Sequence, residues 1–351
     1  MKNFNASASA FGWQFQINAA IVFMLKKIKD IDKVRIEGEN EDIELELSNN
    51  KGKIFIQAKS KSKIGPAGNA LKNFSDGVKT LIHSSNKKNC EELCFVTNYP
   101  NPIGGREQQF SYFMGGTYIK RSFKEIPDDA RAAATDEINK VENEVGLKLN
   151  IDKLYIAVIP FDGNEKDTRE RVINAEVKEF LYDIKVDEGS SRELLEFWQN
   201  KMHFNASNTD TKVSLSKKEL MWPIVVLKCD LNENDKLIEE CEVQGMDYED
   251  VVTILEKYKE IINKQEEHFD LTNKIVNDYR VYREENSKGN RGKRNRKDFI
   301  ESNWSDYKDY IKSDQMDEIT HENLVKIILT KILNTQNIIK KLKEEVNLWS
   351  F

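Results

Sequence analysis

Residues 33–63 read KVRIEGENEDIELELSNNKGKIFIQAKSKSK, and how this stretch folds decides the architecture. It divides into segments at 33–37, 42–48 and 52–60 in which apolar and polar residues alternate, the period of half-buried β-strands. Asn49-Asn50-Lys51-Gly52, between the second and third, supplies residues that tolerate a left-handed backbone and so signals a hairpin turn. Side chains alternate across a strand, so Asp42, Glu44 and Glu46 share one face while Ile43, Leu45 and Leu47 share the other. In the next strand Phe55, Gln57 and Lys59 lie opposite Ile54, Ile56 and Ala58. If the two strands pair through the turn, a carboxylate, an amide and an ammonium group meet on one face.

Outward from this stretch the pattern is α/β. Residues 10–30 have helical length and an apolar stripe through Phe11, Phe15, Ala19, Val22 and Phe23. Downstream, SKIGPAG at 62–68 breaks regular structure, a helix is expected at 69–84, and ELCFVTN at 92–98 reads as a strand. The order is therefore α, β, β, β, α, β. A helix over DDARAAATDEINKVENEVG, a strand at 153–161 and a helix at 168–184 follow. Beyond about 187 the chain turns helical, at 190–202, 248–285, 297–312 and 318–349, with WPIVVLKC at 222–229 as its one strand candidate. We expect two domains, 1–185 and 186–351.

Composition narrows the function classes. With 39% hydrophobic and 32% charged residues the chain reads as an ordinary globular protein, and a net charge of −6 argues against a surface coated in cations. The longest clean apolar run, AAIVFML at 19–25, is too short to span a bilayer, and no secretory signal pattern is visible. Four cysteines in a chain this long do not suggest a disulfide framework, and Cys90 and Cys94 read as buried apolar residues. None of the four histidines is spaced with a glutamate as a zinc hydrolase requires. The expectation is a cytoplasmic protein with no membrane association.

The acidic face suits a hard divalent cation, which takes oxygen ligands from one or two carboxylates and fills the rest with water. Asp42 would be the central ligand, Glu37 a second, Gln57 a neutral oxygen donor, and the Ala58 backbone carbonyl a further one. Lys59 would position the attacking water and neutralise charge developing on a phosphorane. By spacing alone the same residues fit a solvated hairpin face with cross-strand ion pairs.

Taken with the αβββαβ order, Asp42 and Gln57-Ala58-Lys59 resemble the PD-(D/E)XK nuclease superfamily, with Gln57 standing where an acid is usual. GWQFQ at 12–16, IEGENEDIEL at 36–45, IQAKS at 56–60, FVTN at 95–98 and IAVIPFDG at 156–163 are similar to segments of one subgroup. That subgroup comprises the nuclease domains of bacterial anti-phage effectors, in cyclic-oligonucleotide signalling and in Lamassu systems with an SMC-like ATPase. The resemblance spans residues 8–185. It implies a restriction-endonuclease-like core and an Mg²⁺-dependent deoxyribonuclease acting on double-stranded DNA, with Mn²⁺ able to serve in place of Mg²⁺. It also places Gln16 beside the site; Glu44, on the Asp42 face, is equally a supporting or a surface residue, and Glu39 and Glu41 read as loop surface.

Lys61 and Lys63 suit backbone phosphate contacts, though loop lysines are commonly just solvated. SKGNRGKRNRK at 287–297 carries Lys288, Arg291, Lys293, Arg294, Arg296 and Lys297 without an acid, as a DNA- or partner-contacting loop or a solvated one. No ligand-sensing domain is recognisable after residue 186. This favours the Lamassu-type arrangement, in which a mostly helical second domain docks on partner subunits or assembles into a homo-oligomer. A non-catalytic scaffold and a conventional restriction endonuclease are the alternatives.

Overall fold

The structure, a computed structural model, describes residues 6–63, 70–104, 112–243, 246–263, 267–286, 292–311 and 316–348. The three segments of the opening stretch are strands β1 (Ile31–Ile36), β2 (Ile43–Leu47) and β3 (Gly52–Lys59), preceded by helix α1 (Ala6–Lys27) and followed by α2 (Ala70–Ser85) and β4 (Cys90–Thr97). This is the expected αβββαβ order. The turn between β2 and β3 holds Asn49, Asn50 and Gly52 at φ +59°, +55° and +110°, conformations that Asn and Gly adopt at least cost.

Further along come β5 (Ile119–Ser122), α3 (Asp128–Val145), β6 (Leu154–Val158), α4 (Lys166–Arg169), α5 (Arg171–Asp183), α6 (Ser191–Ser207) and the two-residue β7 (Leu215–Ser216). The seven strands form one mixed sheet in the order β5-β6-β4-β3-β2-β1-β7. β3, β4 and β6 run parallel, and the remaining pairs are antiparallel. Helices α1, α5 and α6 cover one face, where Ile43, Leu45, Ile54 and Ile56 are buried. Helices α2 and α3 cover the other, over Phe55, Phe95, Leu93 and Ile156.

Residues Ala8–Lys27 have the length and composition of a membrane crossing, longer than the seven-residue run that the sequence displays as unbroken. Here α1 is a core helix, with Ala19, Ala20, Ile21, Val22, Phe23 and Met24 at most 1% exposed, so it is apolar on every side because it is covered on every side.

Two compact units divide at Lys217/Lys218 rather than near 185. The physical reason is long-range: α6 packs on α1, α5 and β1, and β7 adds to the edge of β1, so residues 186–217 belong to the first core. The second unit contains α7 (Lys217–Lys228, from Lys218 on), α8 (Lys236–Val243), α9 (Tyr248–Asn263), α10 (Glu267–Glu285), α11 (Gly292–Asn303) and α12 (Glu318–Val346). WPIVVLKC is not a strand: residues 222–228 are the second half of α7, and only Cys229 lies past it. An unbroken apolar run cannot distinguish a buried strand from a helix buried all round. Here Leu220, Met221, Trp222, Ile224 and Val225 are all buried, and the Trp222 indole N–H donates to the Ile262 carbonyl at 2.7 Å. On α12, Leu324, Ile327, Ile328, Ile332, Ile339 and Leu342 are buried and Ile338 is half-buried, the stripe of a bundle core. All four cysteines are buried free thiols.

Candidate metal centre

The β2–β3 register pairs Ile43 with Ile56 and Glu44 with Phe55. Past that first pair β3 runs on to Lys59 with no β2 residue opposite, and Asp42, immediately before β2, occupies the opening. Its Oδ2 accepts the Ala58 N–H at 2.9 Å and a hydrogen bond from Gln57 Nε2. Burial pushes the Asp42 carboxyl up to about 6, against the pull of the Ala58 N–H and the Lys59 charge and with Glu37 repulsion adding. Both charges therefore act on the Asp42 carboxylate, and the expected corner exists.

Glu37, the residue after β1, is in a left-handed conformation, φ +51°, strained for a residue with a Cβ and held by its surroundings. Its N–H donates to the Asp42 carbonyl at 2.8 Å, and the Gly38 N–H to the Glu41 carbonyl at 3.0 Å, closing the 37–42 loop. Gln16 Nε2, on α1, donates to Glu37 Oε1 at 2.7 Å and to the Asp42 carbonyl at 3.0 Å. The structure thus brings Gln16, Glu37, Asp42, Gln57, Ala58 and Lys59 together.

Gln57 stands differently from the expectation. Its amide nitrogen, not its oxygen, faces Asp42, and its Oε1 lies 2.6 Å from the Thr80 hydroxyl on α2. The reason is donor–acceptor bookkeeping: an ionised carboxylate only accepts, so the amide turns its donor toward Asp42 and its acceptor toward Thr80. The Thr80 hydroxyl also has the Gly77 carbonyl at 2.9 Å, a second acceptor for its one proton. Nothing in the sequence marks Thr80, because only the packing of α2 over β3 brings it to Gln57.

Of its two readings Glu44 takes the supporting one, and Glu41 departs from the expectation. Glu44 is 4% exposed and fully engaged, with Oε2 3.0 Å from Lys53 Nζ and Oε1 accepting the backbone and side-chain N–H groups of Asn40, both at 3.0 Å. It pins the 37–42 loop and has no oxygen to spare for a cation. Glu41, read as loop surface, is also 4% exposed: Ser84 Oγ donates to its Oε1 at 2.7 Å, and its Oε2 has no hydrogen bond among the described residues. The burying wall is α2, which sequence spacing does not place. Glu39 is exposed, as read.

Burial pushes the Glu41 carboxyl up to about 7, with Ser84 opposing and the Asp42 and Glu44 charges adding. A folded-state value above the ordinary carboxylate range means that folding favours the protonated acid. The stability this gives is full below about pH 4 and is lost as pH rises through 7. Glu41→Gln removes the ionisation. In EDTA, its urea-unfolding free energy should gain about 2–3 kcal/mol on wild type between pH 5 and pH 8.5. A constant difference across that range would show that Glu41 does not titrate in the fold.

The end of β3 is fixed by Asn98, the last residue of FVTN. Its Oδ1 accepts the Lys61 N–H at 2.9 Å, and its Nδ2 donates to the carbonyls of Lys61 and Phe161, both at 2.8 Å. Lys59, half-buried, makes no hydrogen bond or ion pair among the described residues. The Lys61 ammonium lies 4.7 Å from the Tyr99 ring centre, and Lys63 is exposed. Of the basic segment, Lys288 and Arg291 fall outside the described residues, as do the side chains of Lys293 and Arg294. From Gly292 onward that segment is not a loop but the start of α11, where Arg296 binds Asn334 Oδ1 at 2.7 Å and Lys297 is exposed.

The donor set fits a hard cation. Asp42 Oδ1 and the second Glu37 oxygen make no hydrogen bond among the described residues, and the Ala58 carbonyl leaves β3 on the same side as its N–H. No group of three or more His, Cys, Asp or Glu is arranged for a metal among the described residues, and Asp42 and Glu37 are two carboxylates. Mg²⁺ sites commonly use that number.

The fold and these side chains define a mixed-sheet α/β unit with an acid–amide–lysine corner, joined to a helical unit. No family model matches the sequence, and no curated protein matches it. Among solved structures the chain is similar to the Acinetobacter baumannii Cap4 SAVED/CARF-domain containing receptor with the cyclic trinucleotide 2'3'3'-cAAA. There the identity is 13% over 62% of this chain and 46% of that one, with a TM-score of 0.35. It is likewise similar to the Moraxella osloensis Cap4 receptor, at 11% identity over 61% and 47%, TM-score 0.35. The chain spans under half the length of these receptors.

Proposed function

We propose that this chain is a metal-dependent DNA endonuclease, the effector of a bacterial anti-phage or anti-plasmid defence complex. The observation that carries the reading is the Asp42 corner. The end of β3, with no β2 residue opposite, presents Asp42, Glu37, the Ala58 carbonyl and the half-buried Lys59, which makes no hydrogen bond or ion pair among the described residues. A divalent cation held by Asp42 and Glu37 would supply Lewis acidity and a bound water of lowered pKa.

The chain's own residues do the rest. Ala58 and Gln57 fix one oxygen of Asp42, leaving the other without a hydrogen bond among the described residues. Gln16 holds Glu37 against the same loop, so the two carboxylates keep their separation when DNA arrives. Lys59 orients the attacking water and meets the charge that grows on the scissile phosphate. Lys61 and Lys63 continue along the same strand end, where a phosphate backbone would lie.

The defence role, and a Lamassu-like arrangement with an SMC-like ATPase and an accessory subunit, are supported by the order of the segments from GWQFQ to IAVIPFDG. The helical second unit would serve assembly, and activity would wait on it. One observation favours a second reading, a non-catalytic scaffold: Gln57 turns an N–H toward Asp42, where a carboxylate would draw a cation in. Plasmid cleavage separates the two, measured for the chain alone and with its co-encoded partners, in Mg²⁺ and in EDTA. The nuclease reading expects cleavage in Mg²⁺ only, reduced about 10²–10³-fold by Lys59→Ala. Identical behaviour of wild type and Lys59→Ala under every activating condition would establish the scaffold.

A further inference from the structure

The second unit contains a cleft of about 980 Å³ between α10 and α12, closed at one end by Asn295 of α11. Five amide side chains line it: Asn273, Asn277, Asn295, Gln336 and Asn337. None of them makes a hydrogen bond among the described residues. Asn295 is only 6% exposed, and Asn273 Oδ1 is buried with no partner. Elsewhere among the described residues Gln16, Asn98 and Asn205 are buried amides with hydrogen-bond partners, and Asn174 Oδ1 is the other amide oxygen buried without one. An unpaired buried polar group costs about 1–3 kcal/mol, so such groups are rare outside places where something else completes them.

The charges in the cleft are as one-sided as the amides. Arg280 and Arg283 stand one turn apart on α10, and Lys340 and Lys343 one turn apart on α12, against a single acid, Glu284. Residues three apart on a helix lie about 5–6 Å from each other, close enough for two long side chains to reach one polyphosphate chain. The two walls thus offer paired cations, the arginines as forked donors that suit phosphate oxygens. Burial lowers the Lys343 pKa, with the Asp270 charge acting against it. Val276, Ile339 and Leu348 add an apolar floor. The volume lies at the upper end of the range for small-molecule sites.

We propose that this cleft binds a nucleoside polyphosphate. The cations would take the phosphates. The amides, each able to donate and accept, would take the base and sugar edges, which present both kinds of group. Inorganic phosphate only accepts unless protonated, so it would leave the buried Asn273 Nδ2–Oδ1 amide with its oxygen unpaired and does not account for it.

The test is calorimetric titration of the full chain in EDTA with ATP, GTP, inorganic triphosphate and a short DNA duplex. EDTA removes the metal corner of the first unit from the outcome, so success or failure here is separate from the nuclease reading. The expected result is saturable binding of at least one nucleotide, at least tenfold tighter than triphosphate. Arg280→Gln/Arg283→Gln should weaken it tenfold or more. Asn337→Ala should weaken the nucleotide threefold or more and leave triphosphate unchanged. All three positions are exposed, so the variants should keep the wild-type circular dichroism spectrum; Lys340→Gln, equally exposed, is the substitute if they do not. No nucleotide binding at millimolar concentration, triphosphate binding as tightly as nucleotide, or duplex DNA alone binding through Arg280 and Arg283 would each overturn the proposal.

Discussion

Asp42→Asn should abolish Mg²⁺-dependent DNA cleavage while making the metal-free protein more stable. The two effects have separate causes. Asp42 Oδ2 receives both protein hydrogen bonds, from Ala58 N–H and Gln57 Nε2, and an asparagine oxygen can take both in the same place. Its amide nitrogen then occupies the outer position, where it faces the Glu37 carboxylate that now repels Asp42. The substitution removes a buried charge whose carboxyl is pushed up to about 6, so at pH 8 the fold is relieved of about 1–3 kcal/mol. That corresponds to a rise of a few degrees in the melting midpoint. Cleavage, by contrast, loses the central carboxylate of the site, on the order of 10³-fold in rate. Melting in EDTA and a plasmid time course in Mg²⁺ measure the pair. If Asp42→Asn lost stability along with activity, Asp42 would be a structural hub and the metal reading would lose its support.

Arg35→Met should destabilise the first unit by about 1–3 kcal/mol. The Arg35 side chain is 4% exposed and donates to three backbone carbonyls: Asn205, Val213 at 2.8 Å and Asn208 at 3.0 Å. Asn205 returns the contact by accepting the Ile36 N–H at 2.9 Å. Met fills the volume but takes the Arg35 donors away; the Val213 carbonyl keeps Asn205 Nδ2 at 2.8 Å and the Asn205 carbonyl keeps the Asn208 N–H at 3.2 Å, so among the described residues only the Asn208 carbonyl is left without a donor. Chemical denaturation gives the free energy. Hydrogen exchange should show protection lost first in residues 205–216 and in β1. A loss under 1 kcal/mol would mean that the segment after α6 is held by something other than Arg35.

Much of the first unit was legible in the chain. Alternation in residues 42–48 and 52–60 specifies strands, and Asn49-Asn50 with Gly52 specifies the turn, because both depend on contacts between residues near in sequence. The pairing of Asp42 with Gln57 and Lys59 follows from that hairpin with no further information. WPIVVLKC was not legible, since an apolar run has no period from which to choose between strand and buried helix, and the surrounding bundle made the choice.

What the amino-acid order determined by itself is a β2–β3 hairpin with an acid–amide–lysine face inside an αβββαβ series. What only the tertiary structure decided is the state of each polar group on that face. Helix α2, packed over β3, buries Glu41 beside Ser84 and turns the Gln57 oxygen to Thr80, while Asn40 and Lys53 consume Glu44. The first unit runs to Lys217 because Arg35 reaches across about 170 residues of chain to the carbonyls after α6. The amides of the α10–α12 cleft meet in the same way, from segments 273–277, 295 and 336–337. Hydrogen bonds between distant segments carry no periodic signature, so burial and partner choice emerge only when the layers come together.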